Sequence, residues 1–283
     1  MSFILASVGK GCLSFCGALS SAQPRPIAPV ASFLLAARTN SPPNYNHQLP
    51  TLRHNKTTNK TISTCLTTEE CLLHKNRNPS LGKSEIESVL KRQLGVEKVI
   101  WLPLGLHADH DTNGHVDNFA CFARPGVVLL AWCDDAADPQ HAISRRALEL
   151  LKKETDARGR PLEVVKLPCP PVLTRTQAEY DGLAPLGKEN RAAGERLAAS
   201  YVNFYVANGG VVAPAFGGAA AAADAEAGRI LRAAFPGREV VQVPTREIVL
   251  GGGNIHCITQ QQPTAEAKGA PPGALLFSAA GEA

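Results

Sequence analysis

At 283 residues, with 44 % hydrophobic and 19 % charged residues, the chain has the composition of a globular protein that buries one large core or two modest ones. The formal net charge is only +4 and the Lys and Arg residues are dispersed, which argues against a nucleic-acid-binding surface. The apolar runs at residues 3–8 and 33–37 are too short to span a bilayer. We therefore expect a small-molecule partner, with no nucleic acid and no membrane.

Residues 1–63 differ in composition from the rest of the chain. The first acidic residue is Glu69, and the basic residues before it are scattered among Ser, Thr, Asn and Pro. Such a start is typical of an organelle transit peptide, and residues 1–19 resemble the apolar part of a secretory signal. The alternative is a disordered segment or a wrong start in the gene model. We expect residues 64–283 to form the folded domain, in the cytoplasm or the chloroplast.

The eight cysteines are too dilute for a disulfide scaffold and contain no Cys-x-x-Cys pair, so we interpret them as reduced thiols of an intracellular protein. His107, Asp109, His110 and Asp111 are of the types that bind zinc. No second ligand pair with metal-site spacing follows them. We therefore interpret these residues as a polar loop before a strand and expect no metal.

Beyond residue 69, one order of elements recurs. Residues 119–132 predict a hairpin around Arg124-Pro125-Gly126, the segment from Asp138 predicts a helix, and residues 162–167 predict a buried strand. Helix and strand appear once more upstream, at residues 83–94 and 97–102.

The complete order of hairpin, helix and strand returns later in the chain. Residues 201–215 predict a hairpin with a type I′ turn at Asn208-Gly209, residues 219–235 a helix, and residues 239–243 the next strand. Repeated units of this size usually stack around an axis, each burying what its neighbour leaves exposed. The fold class is thus α/β, a closed or stacked assembly of which this chain begins in the middle.

Cys257 lies in the most unusual segment of the sequence. An apolar strand ending at Leu250 is predicted to run into three glycines, residues 251–253, whose backbone can pass close to a ligand. We expect Gly252, Gly253 and Asn254 to line a bound substrate, and Cys257 is a candidate nucleophile. The alternative, a buried core thiol, is favoured by this segment taken alone.

His115 and Asp117 form a second candidate, in the polar loop between two predicted strands. If the end of this loop is extended, the two side chains project from the same face into one cavity. The alternative is a solvated loop built from turn-forming residues. Hydrolysis of a guanidinium needs a nucleophile, a proton donor and a carboxylate for the cation, and Cys257, His115 and Asp117 supply these. A protonated His115 near Cys257 would favour the thiolate.

Four runs of the sequence resemble agmatine deiminases, especially the plant enzymes. The similarity extends in one collinear register from about residue 64 to about residue 263. The runs are residues 65–73 (Cys-Leu-Thr-Thr-Glu-Glu-Cys-Leu-Leu), 112–118 (Thr-Asn-Gly-His-Val-Asp-Asn), 201–205 with 207–210 (Tyr-Val-Asn-Phe-Tyr and Ala-Asn-Gly-Gly), and 251–261 (Gly-Gly-Gly-Asn-Ile-His-Cys-Ile-Thr-Gln-Gln).

This resemblance implies a fold, a reaction and a set of roles. The fold would be an α/β propeller of five quasi-repeated units around a central site, the pentein fold, here incomplete and without its amino-terminal units. Cys257 would match the nucleophile that forms a covalent amidino-thioether, His115 the general acid and base, and Asp117 a carboxylate that pairs with the guanidinium. Agmatine and water would give ammonia and N-carbamoylputrescine, an intermediate of putrescine synthesis. No cofactor is implied, and a homo-oligomer is left open.

The sequence departs from the family at its start. The family has a long amino-terminal portion with another acid that binds the guanidinium, and a Glu-Gly-Gly motif shortly before the Cys65 region. Residues 59–63, Asn-Lys-Thr-Ile-Ser, stand at that place, so neither carboxylate is carried over. Two function classes therefore remain. The first is an agmatine deiminase, whose activity truncation has either removed or left; the second is a non-catalytic fragment that at most pairs with another subunit. A deiminase for another guanidine, such as arginine, is a weaker alternative within the first class. Such a substrate carries a carboxylate that an arginine should meet, and the sequence does not show which arginine faces the site.

Overall fold

The computed structural model describes residues 3–7, 12–17, 63–183 and 191–261, all within one compact unit of the chain. In chain order the strands are β1 (Phe3–Ser7), β2 (Cys12–Gly17), β3 (Thr64–Thr68), β4 (Lys98–Leu102), β5 (Ala120–Arg124), β6 (Val127–Trp132), β7 (Glu163–Pro168), β8 (Tyr205–Val206), β9 (Gly210–Ala215) and β10 (Glu239–Pro244). The α-helices are α1 (Glu69–Leu72), α2 (Lys83–Leu94), α3 (Pro139–Lys153), α4 (Gln177–Asp181), α5 (Ala221–Ala234) and α6 (Arg246–Val249).

These strands form three sheets in the described part of the chain, and two of the sheets have the same construction. In one, β5 and β6 are antiparallel neighbours and β7 returns parallel to β6 after helix α3. In the other, β8 and β9 are antiparallel and β10 returns parallel to β9 after helix α5. The prediction of an α/β fold built from repeated hairpin, helix and strand units is confirmed.

The first complete unit has clear local causes. Gly126 has φ +80°, so Pro125-Gly126 fits a type II turn, which needs a left-handed residue in that place. Asp138 caps helix α3 by accepting a hydrogen bond from the Gln140 N–H, and Pro139 occupies the first turn. The buried side of the helix carries Ala147 and Leu151 onto the sheet. The His141 ring contacts the Cys133 carbonyl at 2.8 Å, so the carboxyl end of β6 lies against the first turn of α3.

The second unit differs from its prediction in the hairpin. Strand β8 covers only Tyr205–Val206, and neither Asn208 nor Gly209 has a positive φ, so the predicted type I′ turn is wrong. The segment before β8 is instead drawn into the interior. Tyr201 is completely buried and its hydroxyl donates to Asp224 at 2.6 Å. Its tertiary contacts therefore override the strand pattern of residues 201–204.

The remaining sheet has the order β1-β2-β3-β4, with β3 parallel to β4. A small apolar cluster lies under α2, whereas Leu66, Ile100 and Leu102 join the main core with both complete units. The transit-like, disordered or misannotated character proposed for residues 1–63 falls mostly on residues outside the described ranges, and it stays a prediction. Among the described helices, none combines the length and apolar character that crossing a membrane requires.

Candidate active site

Asp109 organises the loop that carries His115 and Asp117. Its buried carboxylate accepts hydrogen bonds from the backbone N–H of Thr112 (3.2 Å) and of His115 (3.1 Å), from the Asn118 amide (3.0 Å) and from the Thr112 hydroxyl. Burial raises the pKa of Asp109 to about 6, against the lowering effect of the bonds from Thr112 and Asn118. The Asp109 carboxylate therefore accepts hydrogen bonds from its own loop and fixes the conformation of that loop.

Two glycines let the same loop approach the β3–α1 segment. A Cβ on Gly105 would lie 2.4 Å from the Gly114 carbonyl oxygen, and one on Gly114 (φ +70°) would lie 2.3 Å from a Glu70 carboxylate oxygen. Glu70 accepts from the Gly105 N–H at 2.8 Å, and the Thr68 hydroxyl donates to the Gly114 carbonyl at 2.6 Å. This contact joins two of the runs on which the family resemblance depends.

His115 and Asp117 are close together, but not because the chain is extended. Val116–Asn118 is a 3₁₀ turn, so the predicted extended segment is wrong. The turn nevertheless leaves His115 Nδ1 4.0 Å from Asp117 Oδ1, with both side chains almost completely buried. One imidazole and one carboxylate therefore lie close together in the interior, and that both reach a substrate cavity stays a prediction.

The second ring nitrogen of His115 faces a guanidinium. Arg77 Nη2 contacts His115 Nε2 and donates to the Thr112 carbonyl at 2.8 Å. Because a guanidinium only donates hydrogen bonds, Nε2 is the acceptor and the ring is neutral. Burial lowers the pKa of His115 to about 4; Asp117 opposes this shift, while Arg77 and His256 add to it. The expectation of a protonated His115 beside the thiol is therefore wrong for this arrangement at neutral pH.

Cys257 is reached by a helix and a turn rather than by the predicted strand. Residues Arg246–Val249 form α6, and Gly252 follows with φ +89°. A Cβ on Gly253 would lie 2.7 Å from the Cys257 sulfur, so a glycine is needed where the backbone passes the thiol. Cys257 lies in the 3₁₀ turn His256–Ile258, where it is partly exposed.

The thiol meets the predicted carboxylate directly. Cys257 Sγ donates to Asp117 Oδ2 at 3.2 Å, and the Asn203 amide nitrogen donates to the sulfur at 3.2 Å. His256 Nδ1 lies 2.6 Å from the same Asp117 oxygen. The structure thus brings together Cys257, His115 and Asp117, with a second imidazole at the carboxylate.

Asn203, Asn118 and His256 were not predicted as site residues. Asn203 Oδ1 accepts from the backbone N–H of His256 (2.9 Å) and of Cys257 (3.4 Å), and its amide nitrogen donates to Asn118 Oδ1 at 2.8 Å. The available signal was an asparagine between apolar and aromatic residues in a segment that must be buried, since a buried amide requires partners.

Asn254 and Gly252, which precede Cys257, make contacts within the protein. The Asn254 amide nitrogen donates to the Thr245 hydroxyl at 3.2 Å, and its oxygen accepts from the Ile255 N–H at 2.9 Å. The side chain of Asn254 therefore holds the turn, and its contact with a substrate stays a prediction. A Cβ on Gly252 would lie 2.2 Å from an Asp111 carboxylate oxygen, so Gly252 lies against the polar loop.

The chain matches the sequence model of the Porphyromonas-type peptidyl-arginine deiminase family over residues 61–263. It is 59 % identical over 202 residues to an agmatine deiminase of Medicago truncatula, covering 71 % of this chain and 54 % of that protein. It is 56 % identical over 201 residues to an agmatine deiminase of Stutzerimonas stutzeri, with the same shares covered.

Solved structures show the same relationship. The Enterococcus faecalis agmatine deiminase, described as catalysing its reaction, has a TM-score of 0.64 at 42 % identity, covering 72 % of this chain and 55 % of that one. A cysteine-to-serine variant of C. jejuni agmatine deiminase with substrate bound has a TM-score of 0.58 at 26 % identity, covering 70 % and 52 %. The chain spans about half the length of the curated relatives it matches. Its fold over the matched residues is that of these deiminases, and the chain belongs to the Porphyromonas-type peptidyl-arginine deiminase family.

Proposed function

We propose that this chain carries the nucleophile and proton-transfer groups of an agmatine deiminase, which converts agmatine and water into N-carbamoylputrescine and ammonia in putrescine synthesis. The observation that supports this most directly is the contact of Cys257 Sγ with Asp117 Oδ2 at 3.2 Å. A thiol beside a buried carboxylate suits a cationic substrate, because the carboxylate attracts the guanidinium and accepts its N–H groups. The agmatine deiminases among its relatives support the choice of substrate.

In the proposed reaction, the Cys257 thiol loses its proton and the sulfur adds to the guanidinium carbon. Asp117 holds the guanidinium N–H groups, and the proton released by the Cys257 thiol is passed to the leaving nitrogen, so that the carbon–nitrogen bond breaks and ammonia departs. His115 is the candidate to carry this proton, since its ring is neutral before the reaction, can accept the proton and lies beside Asp117. Water then attacks the amidino-thioether carbon, the carbon–sulfur bond breaks, and the thiol is regenerated with the carbamoyl product.

A second candidate, a non-catalytic chain or a subunit that needs a partner, is favoured by the position of Arg77. Its guanidinium contacts Nε2 of His115, so it brings positive charge to the imidazole that lies beside Asp117. The Arg77 guanidinium would repel the guanidinium of a bound agmatine, because like charges at short range repel each other. Activity then depends on a rearrangement of Arg77 or on groups beyond the described residues.

Ammonia release from agmatine by the purified chain tests the proposal. We expect activity that is lost in Cys257→Ser and retained in Cys133→Ser, a matched change of a partly exposed cysteine at the end of β6. Intact-mass measurement during turnover should show an adduct on the wild type and none on Cys257→Ser. Ammonia release that survives Cys257→Ser would reject Cys257 as the nucleophile, and binding of agmatine without release would favour the non-catalytic candidate.

A further inference from the structure

A cavity of about 230 Å³ lies beside the candidate active site, between the loop of residues 107–111 and the turn that contains Gly252. Arg175, Arg191 and Arg196 line it together with His107. Cys257, His115 and Asp117 are not among the lining residues in the described part of the chain. The cavity is therefore a separate space that borders the two segments from which the active site is built.

Arg175 is the unusual member of this group. It is only 4 % exposed, and its Nη2 donates to the Leu250 carbonyl at 3.2 Å. Its Nε and Nη1 are buried and have no hydrogen-bond partner within the described ranges. The backbone is fixed by bonds of Arg175 with Glu195 and Gly194, so the side chain is held at the cavity wall. A buried guanidinium with two unused donor nitrogens is costly unless an acceptor reaches it.

The other charges of the cavity are largely accounted for. Arg191 bonds Asp111 at 3.2 Å, and Arg196 bonds Asp138 at 2.8 Å. Asp109 also lines the cavity, but its carboxylate is occupied by its own loop. Glu195 is exposed to solvent and forms no ion pair with Arg175.

We propose that this cavity binds a small oxyanion, a carboxylate or a phosphate group, through the Arg175 guanidinium. Such a group accepts several charge-assisted hydrogen bonds at once, which is what the unused nitrogens of Arg175 offer. Arg191 and Arg196 are each paired with an aspartate, so the charge available to an oxyanion is that of Arg175. For a free anion the proposal is independent of the proposed deiminase function, whereas for a substrate carboxylate it rests on that function. An occupant would link residues 107–111 with the Leu250–Gly252 segment and so stabilise both sides of the active site.

The source of the oxyanion is a free anion or the carboxylate of a guanidino acid that extends from the active site. Titration calorimetry on the full chain distinguishes them, with inorganic phosphate, acetate, arginine and agmatine as separate ligands at matched ionic strength. Phosphate or acetate binding indicates a free anion. Binding of arginine that is much tighter than binding of agmatine indicates a substrate carboxylate, because the two share a guanidinium and only arginine has a carboxylate.

Either source should depend on Arg175. We expect Arg175→Met to weaken oxyanion binding at least tenfold, and Arg229→Met, which removes an exposed arginine on α5, to leave it unchanged. Arg175→Lys keeps the charge but loses the planar donors, so it should weaken binding by several fold and decides the matter if Arg175→Met does not fold. The absence of measurable binding of any oxyanion to the wild type, or equal affinity in the wild type and Arg175→Lys, would overturn the proposal.

Discussion

Cys257 is distinguished from the other described cysteines by its surroundings. Burial raises the pKa of the Cys65, Cys71 and Cys169 thiols to about 12, and it also raises the pKa values of Cys121 and Cys133. Cys257 is partly exposed, as Cys133 and Cys169 are, but its sulfur also accepts a hydrogen bond from the Asn203 amide and contacts the Asp117 carboxylate. We expect mass-spectrometric mapping after limited haloacetamidine labelling to find Cys257 modified first. Earlier labelling of Cys121 or Cys169 would contradict its assignment as the nucleophile.

His115 and Asp117 should contribute differently in any version of the chain that is active. Loss of a proton-transfer group typically lowers turnover by about 10²- to 10⁴-fold, so His115→Ala should act mainly on kcat. Asp117→Ala should lower kcat and also raise the KM for agmatine, since Asp117 is the carboxylate at the thiol. Steady-state ammonia release measures both, with His141→Ala at the start of α3 as the control. The same modest effect of both variants on both parameters would assign the loop a structural role.

Asp109 and His115 have opposite effects on stability as the pH falls. The native pKa of His115 is about 4 against 6.5, so the unfolded state binds more protons and stability declines from pH 6.5 downward. The native pKa of Asp109 is about 6 against 3.8, so the native state binds more protons and stability increases over that range. Each contribution is about 3 kcal/mol and the two largely offset each other.

Substitution of one of these two groups should therefore reveal the pH dependence of stability that the other group causes. We expect the unfolding free energy of Asp109→Asn to fall as the pH is lowered from 6.5 to about 4, and that of His115→Asn to rise over the same range. Urea unfolding followed by circular dichroism across this window measures both slopes against the wild type. Parallel slopes in all three proteins would mean that the two groups titrate in the native state as they do in the unfolded state.

Among the secondary structure elements, α6 is held by an ion pair rather than by its own propensity. Arg246 bonds Glu179 of α4 through Nε at 2.6 Å and Nη2 at 3.0 Å. This contact lowers the pKa of Glu179 to about 2. Because the pair is partly exposed, we expect Glu179→Gln to lower the unfolding free energy by only about 1–2 kcal/mol. The difference from wild type should be present above pH 4.5 and disappear toward about pH 2.

A matched control for that element is Glu226→Gln, which removes an exposed pair between Glu226 and Arg229 within α5. It should affect stability less, since it ties no second element to the helix. Equal losses in Glu179→Gln and Glu226→Gln would show that the bond between α4 and α6 has no special role.

Elements fixed by local signals could be predicted from the sequence, whereas elements fixed by tertiary contacts could not. Helix α2 has the predicted bounds Lys83–Leu94, because Gly95 ends it with φ +68°, a signal that is local to the sequence. The strand predicted over residues 201–204 and the strand predicted to end at Leu250 are wrong, because tertiary contacts determine the conformation of both segments. Asn203 is drawn toward His256 and Cys257, and Arg246 toward Glu179. The proximity of His115, Asp117 and Cys257 followed from reaction chemistry and family resemblance, whereas His256 and Arg77 depend on packing that no local pattern records.

At the scale of the whole molecule, the candidate site lies where corresponding positions of the two complete units meet. Asn118-Phe119 precedes β5 and Asn203-Phe204 precedes β8, each asparagine two residues before its strand. Both phenylalanines are buried, and the two asparagines bond each other at 2.8 Å. Each repeat thus places one amide at the centre, and the turn after α6 adds Cys257 to the same point. The repeat architecture itself therefore assembles the site from segments far apart in sequence.

The described part of the chain supplies one carboxylate, Asp117, in contact with Cys257. Each charge-assisted hydrogen bond missing around a guanidinium costs about 1.5–3 kcal/mol, and each 1.36 kcal/mol is tenfold in rate, so we expect residues 1–283 alone to be a poor agmatine deiminase. Fusion to a family-like amino-terminal half, which brings further acids, should raise ammonia release from agmatine by orders of magnitude. The same fusion with Cys257→Ser is the control for activity contributed by the added half. Comparable turnover by the chain with and without the fusion would contradict this expectation and show that residues within this chain already replace the additional carboxylates.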